Sequence, residues 1–426
     1  MGFLKNLENR GFIQQISDPA LYDLLEKEHV SCYAGFDPSD SSLHLGHLIP
    51  IIGLMHFQQA GHRPIAVVGG ATGMIGDPSG RDQERNLLTI DTIRANEIGI
   101  KSQLSRFLDF DRPDNPAILV NNFDWTNPFG YLEFLRDVGK HFSVNTMIAK
   151  ESVKKRLESR DQGISYTEFS YQILQAYDFH HLSKSHGCRV QIGGSDQWGN
   201  ITAGIDLNHR MGGEQLYGIT FPLLMTAAGK KFGKSEGNAV WLDGTRTKPY
   251  EFYQYLFQSD DRDVVRFLKI FTLLPDEEIA ALAECVARDP EKREAQRRLA
   301  YEVTRLVHGD AGVRAAEGAT RILFGTESIR GYDDDTLTVI FSDAPSVDVP
   351  RDSLGQGIPL LDLLPMTELC KSKGEARRLV TSGGLYINND RETRLDKIVT
   401  MDDLASPSFL VLRSGKKTYF LVRFTG

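Results

Sequence analysis

Two neighbouring stretches, Ser31-Cys-Tyr-Ala-Gly-Phe36-Asp-Pro-Ser39 and His44-Leu-Gly-His47, carry the clearest structural signal in this chain of 426 residues. The first is a short apolar run closed by an acid and a proline, which predicts a buried strand. The second predicts a helix beginning close to Gly46, because Pro50 is tolerated only in a first turn, where backbone amides lack intrahelical partners. Similar apolar runs recur at Ile65–Gly69, Ala117–Asn121, Arg189–Ile192 and Ile219–Met225, with longer helical patterns between them. Such alternation predicts an α/β fold, with a parallel sheet and crossover helices.

Ligands of such sheets bind beyond the carboxyl ends of the strands. Three of the runs end in glycine clusters with an acid close by: Gly35-Phe-Asp37, Gly69-Gly-Ala-Thr-Gly73 and Gly193-Gly-Ser-Asp-Gln197. His44 and His47, at i, i+3 spacing on a helix start, face the same way, and the free amides there favour an anion. Gly46 leaves space for a flat group against the backbone, so the pair suits a triphosphate and an adenine. Alone, it reads equally well as two surface histidines. Lys231-Phe-Gly-Lys-Ser235 places two lysines where they could clamp a pyrophosphate. It is not a Walker A loop, since Gly229 to Gly233 has too few residues between the glycines. Alone, it reads as a solvated basic loop. Asp196, just past paired glycines, is placed to accept hydrogen bonds from ribose hydroxyls, or else to cap a glycine turn.

Composition sets the frame around these motifs. Hydrophobic residues make up 41% and charged residues 25%, the balance of a globular chain of two or three domains. No run approaches the ~20 apolar residues that span a bilayer, and the start lacks a signal core, so no membrane partner and a cytoplasmic location are expected. Four scattered cysteines suggest reduced thiols rather than a disulfide or zinc framework. The net charge of −8 argues against nucleic acid, but from Gly355 onward there are 11 Lys+Arg against 8 Asp+Glu. A basic tail on an acidic body fits an RNA-binding module.

Taken in order, the three motifs resemble the HIGH and KMSKS signatures and the strand end of a class I aminoacyl-tRNA synthetase. The chain resembles bacterial tyrosyl-tRNA synthetases over nearly its whole length. Further matching stretches are Gly69–Gly80, Gly139–Asn145 and Phe169–Asp178. The resemblance implies a Rossmann-like catalytic domain over 1–225, with a dimer-interface insertion at about 124–187. It implies a KMSKS-like loop at 226–246, an α-helical domain at 247–330 and a small α+β RNA-binding domain at 355–426. Residues 331–354, rich in Asp, Ser, Pro and Gly, read as a linker.

The activity implied is that of a tyrosine–tRNA ligase. L-tyrosine is activated with ATP, then passed to the 3′-terminal ribose of tRNA(Tyr). Position by position, the resemblance implies the following roles: Tyr33 and Asp178 hold the phenol. Asp77, Tyr171 and Gln175 hold the α-ammonium, and Gln191 and Gln197 line the tyrosine side. Asp37, Gly46, Gly194 and Asp196 meet adenosine. Ser39, His44, His47, Lys231, Lys234 and Ser235 face the phosphates, with Arg85 as the mobile-loop arginine. Magnesium accompanies the phosphates, and no dedicated metal site is expected in the protein itself. The resemblance further implies that Lys371, Lys373, Arg377, Arg378, Arg413, Lys416 and Lys417 contact tRNA and that the enzyme is a homodimer. Two alternatives stay open: a tryptophanyl-tRNA synthetase, and a non-catalytic RNA-binding or splicing cofactor on the same scaffold. Tyr33 with Asp178 and the RNA-binding tail argue against the first, and the intact His44, His47, Lys234 and Asp196 argue against the second.

Overall fold

The computed structural model describes residues 2–79, 88–150, 153–154, 157, 163–235, 238–324, 329–341, 344–415 and 418–426, with backbone alone at 234–235, 238, 323–324 and 339. They form two compact units, Met1–Thr247 with Tyr255–Val307, and Lys248–Gln254 with His308–Gly426.

The first unit is built on a six-stranded sheet: β1 (Gln15–Ile16), β2 (Ser31–Phe36), β3 (Arg63–Val68), β4 (Ile118–Asn121), β5 (Cys188–Gly194) and β6 (Tyr217–Phe221), in the spatial order β1-β6-β5-β2-β3-β4. All neighbours run parallel except β1, which pairs antiparallel with β6 at the edge. The central strands are apolar on both faces because helices cover both. β6 ends at Phe221, short of the expected Met225, because Pro222 has no amide for the ladder. The order reverses at β2, between β5 and β3, and a crevice forms beyond strand ends at such a switch point.

Three helices frame that crevice: α1 (Leu48–Gln59), α2 (Tyr166–His186) and α3 (Trp198–Arg210). α1 follows a single 3₁₀ turn, Leu45–His47, and Pro50 does sit in its first turn. α2 starts at Ser165, whose hydroxyl accepts from the Glu168 amide, and presents Tyr171, Ala176, Asp178 and Phe179 to the interior. Farther along, the helix Asp261–Phe271 buries Val264, Phe267, Leu268 and Phe271. Its C-terminal end is clamped by Arg10. That guanidinium donates to the carbonyls of Lys269 (3.0 Å), Thr272 (2.7 Å) and Leu274 (2.9 Å) and to Asp276 (2.9 Å).

The second unit carries a five-stranded sheet in the order Asp390–Glu392, Leu385–Ile387, Phe409–Ser414, Thr418–Thr425 and Ser346–Pro350. Alternation along its central strands fills two cores. Leu410, Leu412 and Val422 pack toward Leu360, Leu363, Ala376 and Val380, while Phe409, Val411 and Leu421 pack toward Ala319, Ile322 and Leu337.

The stretch 331–354 is therefore not an irregular linker. It contains the helix Asp334–Ile340, capped by the Asp333 carboxylate on the Thr336 amide, and the strand Ser346–Pro350, which runs parallel to Thr418–Thr425. An edge strand that buries little more than Val349 leaves room for Ser, Asp and Pro, and this composition hid it. The helical stretch 247–330 is shared between the two units rather than forming one of its own, and its last helix, Glu294–Phe324, is broken at Gly309. Among the described residues no helix is long and apolar enough to cross a membrane.

Candidate active site

A cavity of about 570 Å³ opens at the carboxyl ends of β2, β3 and β5 in the first unit. Its wall brings together Tyr33, Asp37, Ser39, His44, Gly46, His47, Asp77, Tyr171, Gln175, Asp178, Gln191, Gly194, Asp196, Gln197 and Lys231, which the sequence spreads from position 33 to position 231.

Its apolar end holds two buried polar groups. The Tyr33 side chain is edge-on to Phe179, and its hydroxyl is buried without a hydrogen-bond partner. Asp178, only 4% exposed, accepts from Asn122 Nδ2 at 3.0 Å and from Trp125 Nε1 at 2.8 Å. Burial outweighs both bonds and pushes the carboxyl pKa up to about 7. Gln191 Oε1 is a further buried acceptor without a partner. Buried polar atoms left unpaired are rare, and three lining groups with spare capacity mark where a polar ligand belongs.

In the middle, Asp77 is held by Gln197 Nε2 (2.7 Å) and by the Ser79 amide (2.9 Å). Asn200 Nδ2 reaches Gln175 Oε1 (2.9 Å), and Gln175 Nε2 reaches Gln197 (3.2 Å), so one amide network fixes the acid's surroundings. The Tyr171 hydroxyl donates to Asp37 Oδ2 (2.8 Å), not to Asp77, and Thr72 donates to Asp37 Oδ1 (2.7 Å). This approach of Asp37 requires Gly69: a Cβ there would lie 2.0 Å from Asp37 Oδ1. Asp196 lies nearby, its pKa raised by burial and by the negative charge of Asp77.

At the helix start the two imidazoles stack, with ring centroids 3.9 Å apart and planes 28° from parallel. The His44 amide donates to His47 Nδ1 and the Gly46 amide to His44 Nδ1, both at 3.1 Å. The space beside Gly46 is taken by the His44 ring, since a Cβ at Gly46 would lie 2.9 Å from it. Gly46 itself lines the cavity.

The Lys231–Ser235 segment is joined to this helix start. The Leu45 amide donates to the Val240 carbonyl and the Leu242 amide to the Leu43 carbonyl, both at 2.8 Å, with a bridge between His44 and Trp241. On the other side Phe232 is buried against Phe267 (4.2 Å) and Phe271 (5.1 Å), the Gly233 amide donates to the Tyr255 hydroxyl (2.7 Å) and the Ala227 amide to Asp263 (2.6 Å). Lys234 and Ser235 form a short strand with Asn238–Ala239, and their side chains lie outside the description, as does the whole of Arg85.

Of the basic residues expected to meet RNA, Lys371, Arg377 and Arg378 are exposed on or beside the helix Lys373–Thr381 of the second unit, and Lys373 pairs with Asp362. Arg413 is engaged internally, stacked 3.8 Å over the Tyr386 ring and donating to Asn389 (2.9 Å) and to the Gly415 carbonyl (2.7 Å). Lys416 and Lys417 lie outside the described residues.

Sequence reasoning missed Asn122, Trp125, Thr72 and Asn200. Asn122 could have been found by the strand-end rule, since it directly follows β4. Trp125 and Asn200 sit in helical segments whose proximity only the tertiary fold creates.

Comparison with known proteins gives two family matches. Residues 25–325 match the class I tRNA synthetases (W and Y), and residues 336–422 match the SYY-like C-terminal domain of tyrosine–tRNA ligases. The tyrosine–tRNA ligase of Rhodopirellula baltica is 52% identical over 99% of this chain and 96% of its own length. Tyrosine–tRNA ligase 1 of Bacillus subtilis is 50% identical over 99% of both chains. Among solved structures, a C-terminally truncated mitochondrial tyrosyl-tRNA synthetase of Coccidioides posadasii superposes with a TM-score of 0.66 at 35% identity, covering 74% of this chain and 91% of the other.

Proposed function

We infer the function from one premise: the chain belongs to the class I tRNA synthetases of the tryptophan and tyrosine group, and over nearly its whole length it is related to tyrosine–tRNA ligases. It activates L-tyrosine with ATP, giving tyrosyl-adenylate and pyrophosphate, and then transfers tyrosine to the 3′-terminal ribose of tRNA(Tyr). The observation that carries the choice of amino acid is the buried pair of Tyr33 and Asp178, an unpartnered hydroxyl and a carboxylate with spare lone pairs on one cavity. A phenol completes both, whereas phenylalanine would leave them unsatisfied.

With the phenol at that end, the α-ammonium falls among Asp77, Tyr171, Gln175 and Gln197, and Gln191 flanks the ring. Adenosine lies along Gly194 and Asp196, with Asp37 beneath. The tyrosine carboxylate attacks the α-phosphorus in line and pyrophosphate leaves, so no protein nucleophile is required. The protein's work is positioning and the stabilisation of developing charge. Ser39, His44, His47 and Lys231 supply it, joined by Lys234, Ser235 and Arg85. These hydroxyl, imidazole and ammonium groups suit phosphate oxygens rather than a cation, so magnesium would be held by the nucleotide and share its charge.

In the second unit, the exposed Lys371, Arg377 and Arg378, with Lys373, Arg413, Lys416 and Lys417, would meet the tRNA backbone. A homodimer in the cytoplasm completes the reading. Tyr131, Leu132, Val144, Ile148 and Tyr166 are exposed apolar side chains within the segment 124–187, the composition of a surface that a second copy covers.

Amino-acid-dependent ATP–pyrophosphate exchange tests the reading, with tyrosine, tryptophan and phenylalanine on wild type and Asp178→Ala. Exchange with tyrosine alone, lost in the variant, is expected. Exchange with tryptophan would move the chain to the sister specificity, and none at all would sink the enzymatic reading.

A further inference from the structure

Behind His44 stands a column of groups that the reaction does not consume. The indole of Trp241 meets the His44 imidazole edge to face, with ring centroids 6.1 Å apart and planes at 62°. The Arg246 guanidinium carbon lies 3.5 Å from the centre of the Trp241 ring, the contact of a cation on an aromatic face. Arg246 in turn pairs with the Asp40 carboxylate and donates to the Ser41 hydroxyl at 3.4 Å. Counting His47, stacked on His44, five side chains from two stretches of the chain, 40–47 and 241–246, are linked by successive pairwise contacts. They are His47, His44, Trp241, Arg246 and Asp40.

The backbone supports the same arrangement. The His44–Trp241 bridge fixes the two residues opposite one another, and the Trp241 amide donates to the Thr247 hydroxyl at 2.9 Å. The ion pair is only partly shielded, with Arg246 31% and Asp40 41% exposed, so its value to overall stability is small. Its geometric effect is not small. It holds a planar cation on the indole and leaves the indole one orientation against the imidazole.

We propose that Trp241, locked by Arg246 and Asp40, is a positioning residue for the adenylation step, holding the His44 ring in the orientation that meets the nucleotide's phosphates. The proposal rests on the reading of His44 as a phosphate-facing group. Trp241 touches no substrate in that reading and acts through His44 alone. An imidazole free to swing would lose alignment with charge that appears only in the transition state, which lowers the rate without weakening tyrosine binding.

The test is a double-mutant cycle in tyrosine-dependent pyrophosphate exchange on the full chain, with Trp241→Leu made in wild type and in His44→Asn. Trp241→Leu is expected to lower the maximal exchange rate about tenfold with the tyrosine KM unchanged, and to change it less than about twofold in the His44→Asn background. Trp241→Phe, which keeps an aromatic face, should recover most of the rate. Thermal midpoints measured alongside identify any variant that fails to fold. Arg246→Met is the second probe, since it leaves the indole and backbone bridge in place, and its smaller loss should vanish in His44→Asn as well. Equal losses in both backgrounds, or no loss in wild type, would overturn the proposal while leaving the enzymatic reading intact. Absence of exchange in the wild type itself would instead remove the reading on which the proposal stands.

Discussion

The indole of Trp125 points its N–H at Asp178, with Nε1 2.8 Å from Oδ1. Together with Asn122 on the other oxygen, it determines how a carboxyl group persists in an apolar end of a cavity. A hydrogen bond to a charged group is worth about 1.5–3 kcal/mol, so Trp125→Phe should lower kcat/KM for tyrosine in the exchange reaction roughly ten- to a hundredfold. The rate with phenylalanine, which brings no phenol, should stay within about twofold, so discrimination narrows. An equal fall for both amino acids would assign Trp125 to general packing.

On the proposed reading, Asp178 should also make tyrosine binding depend on pH. A phenol donating to the carboxylate selects the ionised form. With a pKa of about 7, that form is roughly a tenth of the population at pH 6 and nine-tenths at pH 8. Tyrosine affinity, measured calorimetrically without ATP, should therefore rise about tenfold over this interval. A flat profile would show that Asp178 is already ionised below pH 6.

The same shift has the opposite sign for stability. Between about pH 4 and pH 7 the folded chain retains a proton on Asp178 that the unfolded chain, titrating near 3.8, has released. Stability therefore declines as pH rises through this window, by on the order of 4 kcal/mol for a three-unit shift. Denaturation of Asp178→Asn should lack this slope, and its advantage over wild type should be greatest above pH 7. Parallel curves for the two proteins would refute the burial argument.

Arg10, at the end of the helix Phe3–Asn9, joins it to the end of the helix Asp261–Phe271, on which Phe232 packs. Its removal strands three carbonyls that are otherwise paired, and Arg10→Ala should cost about 3–5 kcal/mol in chemical denaturation. Because the helix carries the anchor of the Lys231 segment, the KM for ATP should rise more than that for tyrosine. A loss under about 1 kcal/mol would mean that water replaces the guanidinium.

Phe232→Ala probes the anchor directly. The ring is buried among Phe267, Phe271 and Tyr255, and truncation opens a void worth roughly 3 kcal/mol. Exchange should slow through a higher KM for ATP while equilibrium tyrosine binding holds. Weakened tyrosine binding would show that the void reaches the sheet.

The site was legible in the sequence wherever a chemical group sits at a strand end or helix start, because those places are marked locally. Asp37, His44, His47 and Asp196 all announce themselves beside glycines. Trp125 does not, since its role is to satisfy one buried acid and nothing in its neighbourhood names it, while Asn122, although at a strand end, has no glycine cluster beside it. The parallel strands were legible as apolar runs because both faces are covered. The strand Ser346–Pro350 was not, because an edge position that buries mainly Val349 imposes little pattern. β1, two residues long, offers no pattern at all.

The bridge between His44 and Trp241 joins positions nearly two hundred residues apart. A chain growing from the ribosome therefore holds the His44–His47 turn for a time without the segment that bridges to it. At roughly 5–20 residues per second that interval is about 10–40 s. Through it, the Leu43–Leu45 backbone waits for partners that arrive only with Val240–Leu242. A nascent chain released early, anywhere before Leu242, would carry an intact histidine signature without the backbone partners that hold it in place.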